Sequence, residues 1–501
     1  MKTIFEKSHP GRSTAYFAAA GPDEKSAASL LPAGALRATP PGLPEVSELE
    51  IVRHFTELSH RTFSIDGNFY PLGSCTMKYN PKINEKVAAM PGFAKLHPLQ
   101  SEETVQGLLE LMWSLERMLA EIAGMDAVTL QPAAGAQGEL TGLLLIRSHH
   151  QETRQDQRKE ILIPDSAHGT NPATATLSGY KTVSVRSDER GGIDLEDLKS
   201  KLSVRTAGMM ITNPSTLGLF EENIQSIADL VHKAGGLVYM DGANMNAIQG
   251  KARPGDFGID VMHFNLHKTF STPHGGGGPG SGPVACKKFL EPYLPVPRIQ
   301  KEGTAYKFDF GQPKSIGKVK AFWGNIGMHI RAYTYIRFHG PEGVRRNAEH
   351  AVLNANYLMS RLKKRFKVAY PRICMHEFVI DNTPYAKKTG VRTLDMAKRL
   401  LDYNFHPPTI YFPLIVHEAM MIEPTETESR ETLDAFAAAL LTIADEAKTD
   451  PQKVKTAPHT MPVKRLDEVR AAKNPNVKWC TPCDAPPPPE DPGTGPAASA
   501  D

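Results

Sequence analysis

Cysteine is scarce: the 501 residues carry only Cys75, Cys286, Cys374, Cys480 and Cys483. They are too few and too scattered for a disulfide framework, so reduced thiols are expected. No run of eighteen or more apolar residues occurs, and Met1 to Lys7 lacks the apolar core of a secretory signal. A cytoplasmic chain that does not enter a membrane is therefore expected. An excess of one charge is also missing. With a net charge of +3 and 23% charged residues, nothing argues for nucleic acid or an anionic membrane, and any phosphate site must be local.

What is present is a chain longer than one hydrophobic core usually holds, so two or more domains are expected. Residues 1–100 are rich in Pro, Gly and Ala and read as an extended arm. Within it, His60 to Pro81 is dense in polar and aromatic groups and suits the lining of an active site or an ordinary surface loop. Residues 101–330 read as a large α/β domain and 331–462 as a smaller α+β domain, in which Glu342 to Leu362 is expected to be helical and Ile373 to Ile380 a strand. The tail, 463–501, is polar and then Pro-rich, with the composition of a disordered segment. Its Cys480-Thr-Pro-Cys483 is a lone CxxC without a second pair, and it is assigned no function.

In the large domain, apolar strands alternate with helices: Ile161 to Pro164, Lys181 to Val185, Gly208 to Thr212 and Gly236 to Met240, with helices from Asp194 to Leu202 and Asn223 to Ala234. Alternation of this kind implies a largely parallel sheet covered on both faces. Ligands of such sheets bind beyond the carboxyl ends of the strands. Several polar residues fall there.

Asp241 closes one apolar run, and Lys268 follows another, Val261 to Leu266. A lysine amine forms an imine with an aldehyde, and a carboxylate keeps a pyridine nitrogen protonated. The pair therefore suits pyridoxal phosphate (PLP). His168 is a candidate to stack on the pyridine ring, Asn213 to bond its hydroxyl and Ala243 to pack on its other face. Gly135, Ala136 and Gln137 open a helix whose amides can hold a phosphate. Taken singly, each has a plainer reading: a solvated surface lysine, or ordinary turn residues.

Together, Pro10-Gly-Arg12, Tyr70 to Pro81, Pro132 to Glu139, His168-Gly-Thr-Asn-Pro, Asp241-Gly-Ala-Asn-Met-Asn, Asn265-Leu-His-Lys-Thr-Phe and Pro273 to Gly280 resemble the glycine decarboxylase, or P-protein, family of the glycine cleavage system. The resemblance spans roughly residues 5–465 and is to the PLP-bearing second subunit of the two-subunit form. It implies the aminotransferase-like fold type I, cofactor linkage to Lys268, and a cofactor site that includes His267. It also implies a homologous first subunit lacking the lysine, in a two-plus-two heterotetramer, and transfer of the aminomethyl group of glycine to the lipoyl arm of an H-protein. Another fold type I enzyme, such as an aminotransferase or a desulfurase, would share Asp241 and Lys268. A non-catalytic scaffold is the third possibility.

Overall fold

The computed structural model describes residues 1–12, 25–39, 41–275, 280–475 and 477. The Cys480–Cys483 pair and the Pro-rich tail lie outside the described residues.

Seven strands form the larger sheet: β1 (Ala127–Thr129), β2 (Glu160–Pro164), β3 (Lys181–Val185), β4 (Thr206–Thr212), β5 (Leu237–Gly242), β6 (Val261–Phe264) and β7 (Val284–Cys286). Their order is β1-β7-β6-β5-β4-β2-β3. The run from β3 to β6 is parallel, and β7 is antiparallel to both its neighbours. Ala207, Met209, Met210 and Ile211 of β4 are all buried, as a strand with both faces covered requires. One cover is the helix Gln106–Ala123, which buries Leu108, Leu109, Met112, Leu115 and Leu119 along one stripe and stops at Gly124 in the left-handed conformation (φ 67).

The helix Gly135–Glu152 sits unusually close to the sheet. A β-carbon at Gly142 would lie 2.4 Å from the Tyr239 ring, and one at Gly138 would lie 2.7 Å from the Gly282 carbonyl. Glycine on this helical face lets the first turn settle beside the end of β6.

A hairpin of β8 (Arg298–Glu302) and β9 (Ala305–Asp309) leads to the second sheet. There β10 (Lys367–Val368), β11 (Phe378–Asp381), β12 (Thr409–Ile410) and β13 (Ala419–Ile422) run antiparallel in the order β10-β11-β13-β12. Its core joins Leu358, Leu362, Phe378, Phe436, Leu440 and Ile443. The expected helix Glu342 to Leu362 is present as the second limb of Ile326–Leu362, which is broken at Gly340 (φ 63, ψ 179) just before Pro341. The strand expected from Ile373 shortens to Phe378–Asp381, because the chain first bonds to the loop after β4, with the Met375 N–H donating to the Gly218 carbonyl.

Residues 1–100 hold more regular structure than their Pro and Gly content suggests. The helix Glu48–His60 begins with a capping box between Ser47 and Glu50, and Lys82–Ala88 forms a second helix. Between them the chain threads from one sheet to the other. Leu72 bridges to Ile422, the last residue of β13. Lys78 is buried, and its ammonium donates to Asn246 Oδ1 at 2.9 Å, the Thr269 carbonyl at 2.8 Å and Glu426 Oε1 at 2.6 Å.

Replacing Lys78 with methionine leaves the Glu426 carboxylate buried and unpaired, which should cost about 3–5 kcal/mol of stability. Denaturant unfolding of the full chain measures it; an unchanged midpoint would show that the pair does not fasten the loop.

Candidate active site

The carboxyl ends of β2, β4, β5 and β6, with the first turn of the helix Gly135–Glu152, surround one pocket. Strand register sets its floor: Asp241 pairs with Thr212 on one side and His263 on the other. Asp241 Oδ2 accepts from Asn171 Nδ2 at 3.1 Å, Oδ1 accepts from the Ala243 N–H at 3.0 Å, and His263 Nε2 lies 3.5 Å away. Burial opposes the charge of Asp241, but His263, Lys268 and these bonds outweigh it and hold the carboxyl below its usual range. Asp241 is therefore a buried anion.

Lys268 reaches the pocket from the turn after β6, and its Nζ donates to the Ser74 carbonyl at 2.6 Å. His168 forms part of the wall; its Nδ1 accepts the Thr170 N–H at 3.2 Å, and burial lowers its pKa, so the ring is neutral. Glu139 accepts from the Thr170 and Thr174 hydroxyls at 2.7 and 2.9 Å. Burial and then Asp241 push its carboxyl up to about 7.

The helix N-terminus in this pocket has no side-chain cap, since its N-cap residue is Ala134. Gly135 and Ala136 line the pocket, and their N–H groups belong to the first turn, where amides have no partner within the helix. A β-carbon at Gly135 would lie 2.5 Å from Asn265 Oδ1, an atom with no hydrogen-bond partner among the described residues. An open helix terminus, a buried anion and a lysine amine in one pocket match the phosphate, pyridinium and aldehyde of PLP. The residues present fit this cofactor.

Of the residues singled out from sequence, Gly135, Ala136, His168, Asp241, Ala243 and Lys268 line the pocket together. Three others point elsewhere. Gln137 turns its side chain to its own loop, accepting the Ala133 N–H at 2.7 Å and donating to the Val319 carbonyl. Asn213 Oδ1 accepts the Glu221 N–H at 3.0 Å, which leaves Thr212 and Pro214 to face the pocket. His267 Nδ1 accepts the Ser281 N–H at 3.3 Å, and burial followed by Lys268 drives its pKa down to about 3. Sequence reasoning missed Glu139, Asn244, His263, His376 and Glu377, which also line the pocket. Glu139 and Asn244 sit inside motifs already singled out; His376 and Glu377 come from the second sheet.

A seven-stranded, mostly parallel sheet with a lysine, an aspartate and an open helix terminus at its carboxyl edge defines a PLP-dependent enzyme of fold type I. Solved structures agree on that fold. A crystal structure of glycine decarboxylase (P-protein) of the glycine cleavage system, in inhibitor-bound form, superposes with a TM-score of 0.70 at 21% identity, covering 83% of this chain and 94% of that one. A NifS-like protein superposes with a TM-score of 0.59 at 16% identity, covering 75% of this chain and 99% of its own.

The family described as glycine cleavage system P-protein matches residues 25–299, and the glycine dehydrogenase C-terminal domain matches residues 347–464. The probable glycine dehydrogenase (decarboxylating) subunit 2 of Caldanaerobacter subterraneus subsp. tengcongensis is 58% identical over 477 residues, 95% of this chain and 98% of that protein. Its counterpart in Listeria welshimeri is 56% identical over 479 residues, 96% and 98% respectively. The chain belongs to the glycine cleavage system P-protein family.

Asp241→Asn should retain the fold and lower glycine–bicarbonate exchange about 10²–10³-fold, because a neutral amide cannot hold a protonated pyridine nitrogen. An unchanged rate and an unchanged visible spectrum of the loaded protein would assign that role to another group.

Proposed function

We propose that this chain is the PLP-bearing subunit of a two-subunit glycine dehydrogenase. It removes the carboxyl group of glycine as carbon dioxide and passes the remaining aminomethyl group to the lipoyl arm of an H-protein. The observation that carries the reading is the convergence of Lys268, Asp241, His168 and an uncapped helix terminus on one pocket. PLP, when bound, supplies an electron sink for the pair left behind by the departing carboxyl group.

The chain's own residues divide the remaining work. Lys268 offers the amine for covalent attachment and can be displaced by the amine of glycine. Asp241, kept anionic by its bonds, would hold a proton on the pyridine nitrogen. The amides of Gly135 and Ala136 would bind the phosphate. His168, being neutral, presents a flat ring without adding positive charge beside Lys268. Ser74 brings the 60–81 loop over the pocket, where it limits the entry of water.

The reading includes a homologous first subunit in a two-plus-two assembly in the cytoplasm. The helix Glu48–His60 supports a partner. Leu49, Val52 and Phe55, spaced three apart on one face, are 55%, 55% and 57% exposed. A contiguous apolar stripe of this kind is unusual on a free surface, and we assign it to the first-subunit contact. Among the described residues, no helix is long and apolar enough to cross a membrane.

Lys268→Ala removes little buried apolar area, so the variant should fold. It should lose both the visible absorbance of lysine-linked cofactor and all exchange in the complex with the first subunit; full exchange would overturn the reading. Phe55→Glu should weaken co-elution with the first subunit by about tenfold or more while leaving cofactor absorbance intact. Unaltered co-elution would move the contact to another surface.

A further inference from the structure

Beside Lys268, the end of the second sheet holds side chains that the reading above leaves unused. Glu377 immediately precedes β11 and Glu423 immediately follows β13. Because Phe378 pairs with Ile422, the two carboxyls leave the ladder side by side, with His376 next to them. Ligand atoms of the three residues all lie within 4.8 Å of one another, and all three residues are buried.

Each carboxyl is held by neutral donors. Glu377 Oε2 accepts the Ser74 N–H at 2.7 Å, while Glu423 Oε1 accepts the Thr76 hydroxyl at 2.7 Å and Asn244 Nδ2 at 3.1 Å. His376 Nε2 is 3.6 Å from Glu377 Oε1, but burial and then Lys268 drive the imidazole down to about 3, so it is neutral. The nearby ammonium groups are engaged elsewhere: Lys78 with Glu426, and Lys268 with the Ser74 carbonyl. Two buried carboxyls this close, with no cation bonded to them among the described residues, cannot both be ionised.

We propose that Glu377 and Glu423 share one proton and are the proton acceptor for Lys268, whose ammonium must become a free amine before it can attack an aldehyde. In that step an N–H bond breaks and an O–H bond forms. The ammonium becomes neutral, and the carboxyl pair goes from one negative charge to none. Ser74 links the two sites, since its carbonyl holds Lys268 and its N–H holds Glu377. Its left-handed backbone (φ 64) persists because both ends are fastened. Lys268 and Glu377 line the same pocket, so one water between them would carry the proton.

The charged and titratable groups facing the pair are Lys268, His376, Cys75 and Glu426 with its Lys78. Burial, then Glu423, holds Glu377 well above the usual carboxylate range, and burial pushes Glu423 up to about 7. The use made of the proton rests on the cofactor reading, whereas the sharing of it does not.

Glu423→Gln keeps an acceptor for Thr76 and removes one ionisation; Glu377→Gln does the same for the Ser74 N–H and serves if the first variant does not fold. Three measurements test the pair. In the full chain without cofactor, the infrared band of buried carboxylic acid near neutral pH should shrink in the variant. The native state of the wild type holds more protons than the unfolded chain between 4.5 and about 7. That contribution to stability is full below the lower value and lost as pH rises through the upper one, so the variant's decline in stability should be shallower. Loading of added PLP, followed by absorbance, should slow roughly tenfold or more at neutral pH and converge with the wild type at alkaline pH; a purely structural defect would slow it at every pH. Wild-type pH profiles in both variants would overturn the proposal, as would a divalent metal retained by the wild type and lost from Glu423→Gln. Normal loading without glycine exchange would instead count against the function proposed above.

Discussion

The buried ion pair of Lys78 and Glu426 makes one working site out of three separated stretches of chain. Lys78 comes from the N-terminal loop, Asn246 and Thr269 from the larger sheet's loops, and Glu426 from the end of the smaller sheet. Burial works against the charge of Lys78, and Glu426 with the Tyr335 hydroxyl more than offsets it. Such a pair is a weak source of net stability but a strong specifier of geometry, since any displaced arrangement strands a charge. Loop residues 72–80 are pinned by it, and with them Ser74, Thr76 and Asn80, which bond to Glu377, Glu423 and the Ser271 carbonyl respectively.

That pinning permits an unusual electrostatic arrangement. Four imidazoles, those of His168, His263, His267 and His376, and three carboxyls, those of Glu139, Glu377 and Glu423, lie in or beside the pocket. Burial moves every one of them toward its neutral form. Asp241 is the exception, because His263, Lys268 and the bonds from Asn171 and the Ala243 N–H together outweigh its burial. Low dielectric thus works against charge on most titratable groups of the pocket, while Asp241 stays ionised.

Strand ends were readable because a doubly covered parallel sheet writes its strands as apolar runs and its ligand residues as the polar letters that follow. Lys268, Asp241, His168 and Ala243, all read from strand ends, line one pocket. The side chain that turns away after a strand was not readable, since Asn213 and Gln137 face their own loops through bonds that depend on Glu221 and Val319. Glu377 and Glu423 were hidden for a different reason. They are unremarkable acids in sequence, and only the antiparallel register of β11 against β13 sets them side by side. The helix Glu48–His60 went unread in the Pro-rich arm, although the Ser47–Glu50 capping box that starts it is a local signal.

Two lysines in the same motif-rich surroundings illustrate how structure assigns role where residue type does not. Lys78 donates to a carboxylate, a carbonyl and an amide oxygen, and to leave would strand the Glu426 charge. Lys268 donates, among the described residues, to a single neutral carbonyl. A carbonyl bond contributes roughly 1 kcal/mol net, whereas separating a buried ion pair costs several. Lys268 can therefore let go of Ser74 at little cost, and Lys78 cannot leave Glu426. Under the function proposed above, the lysine that reacts is the less firmly held of these two.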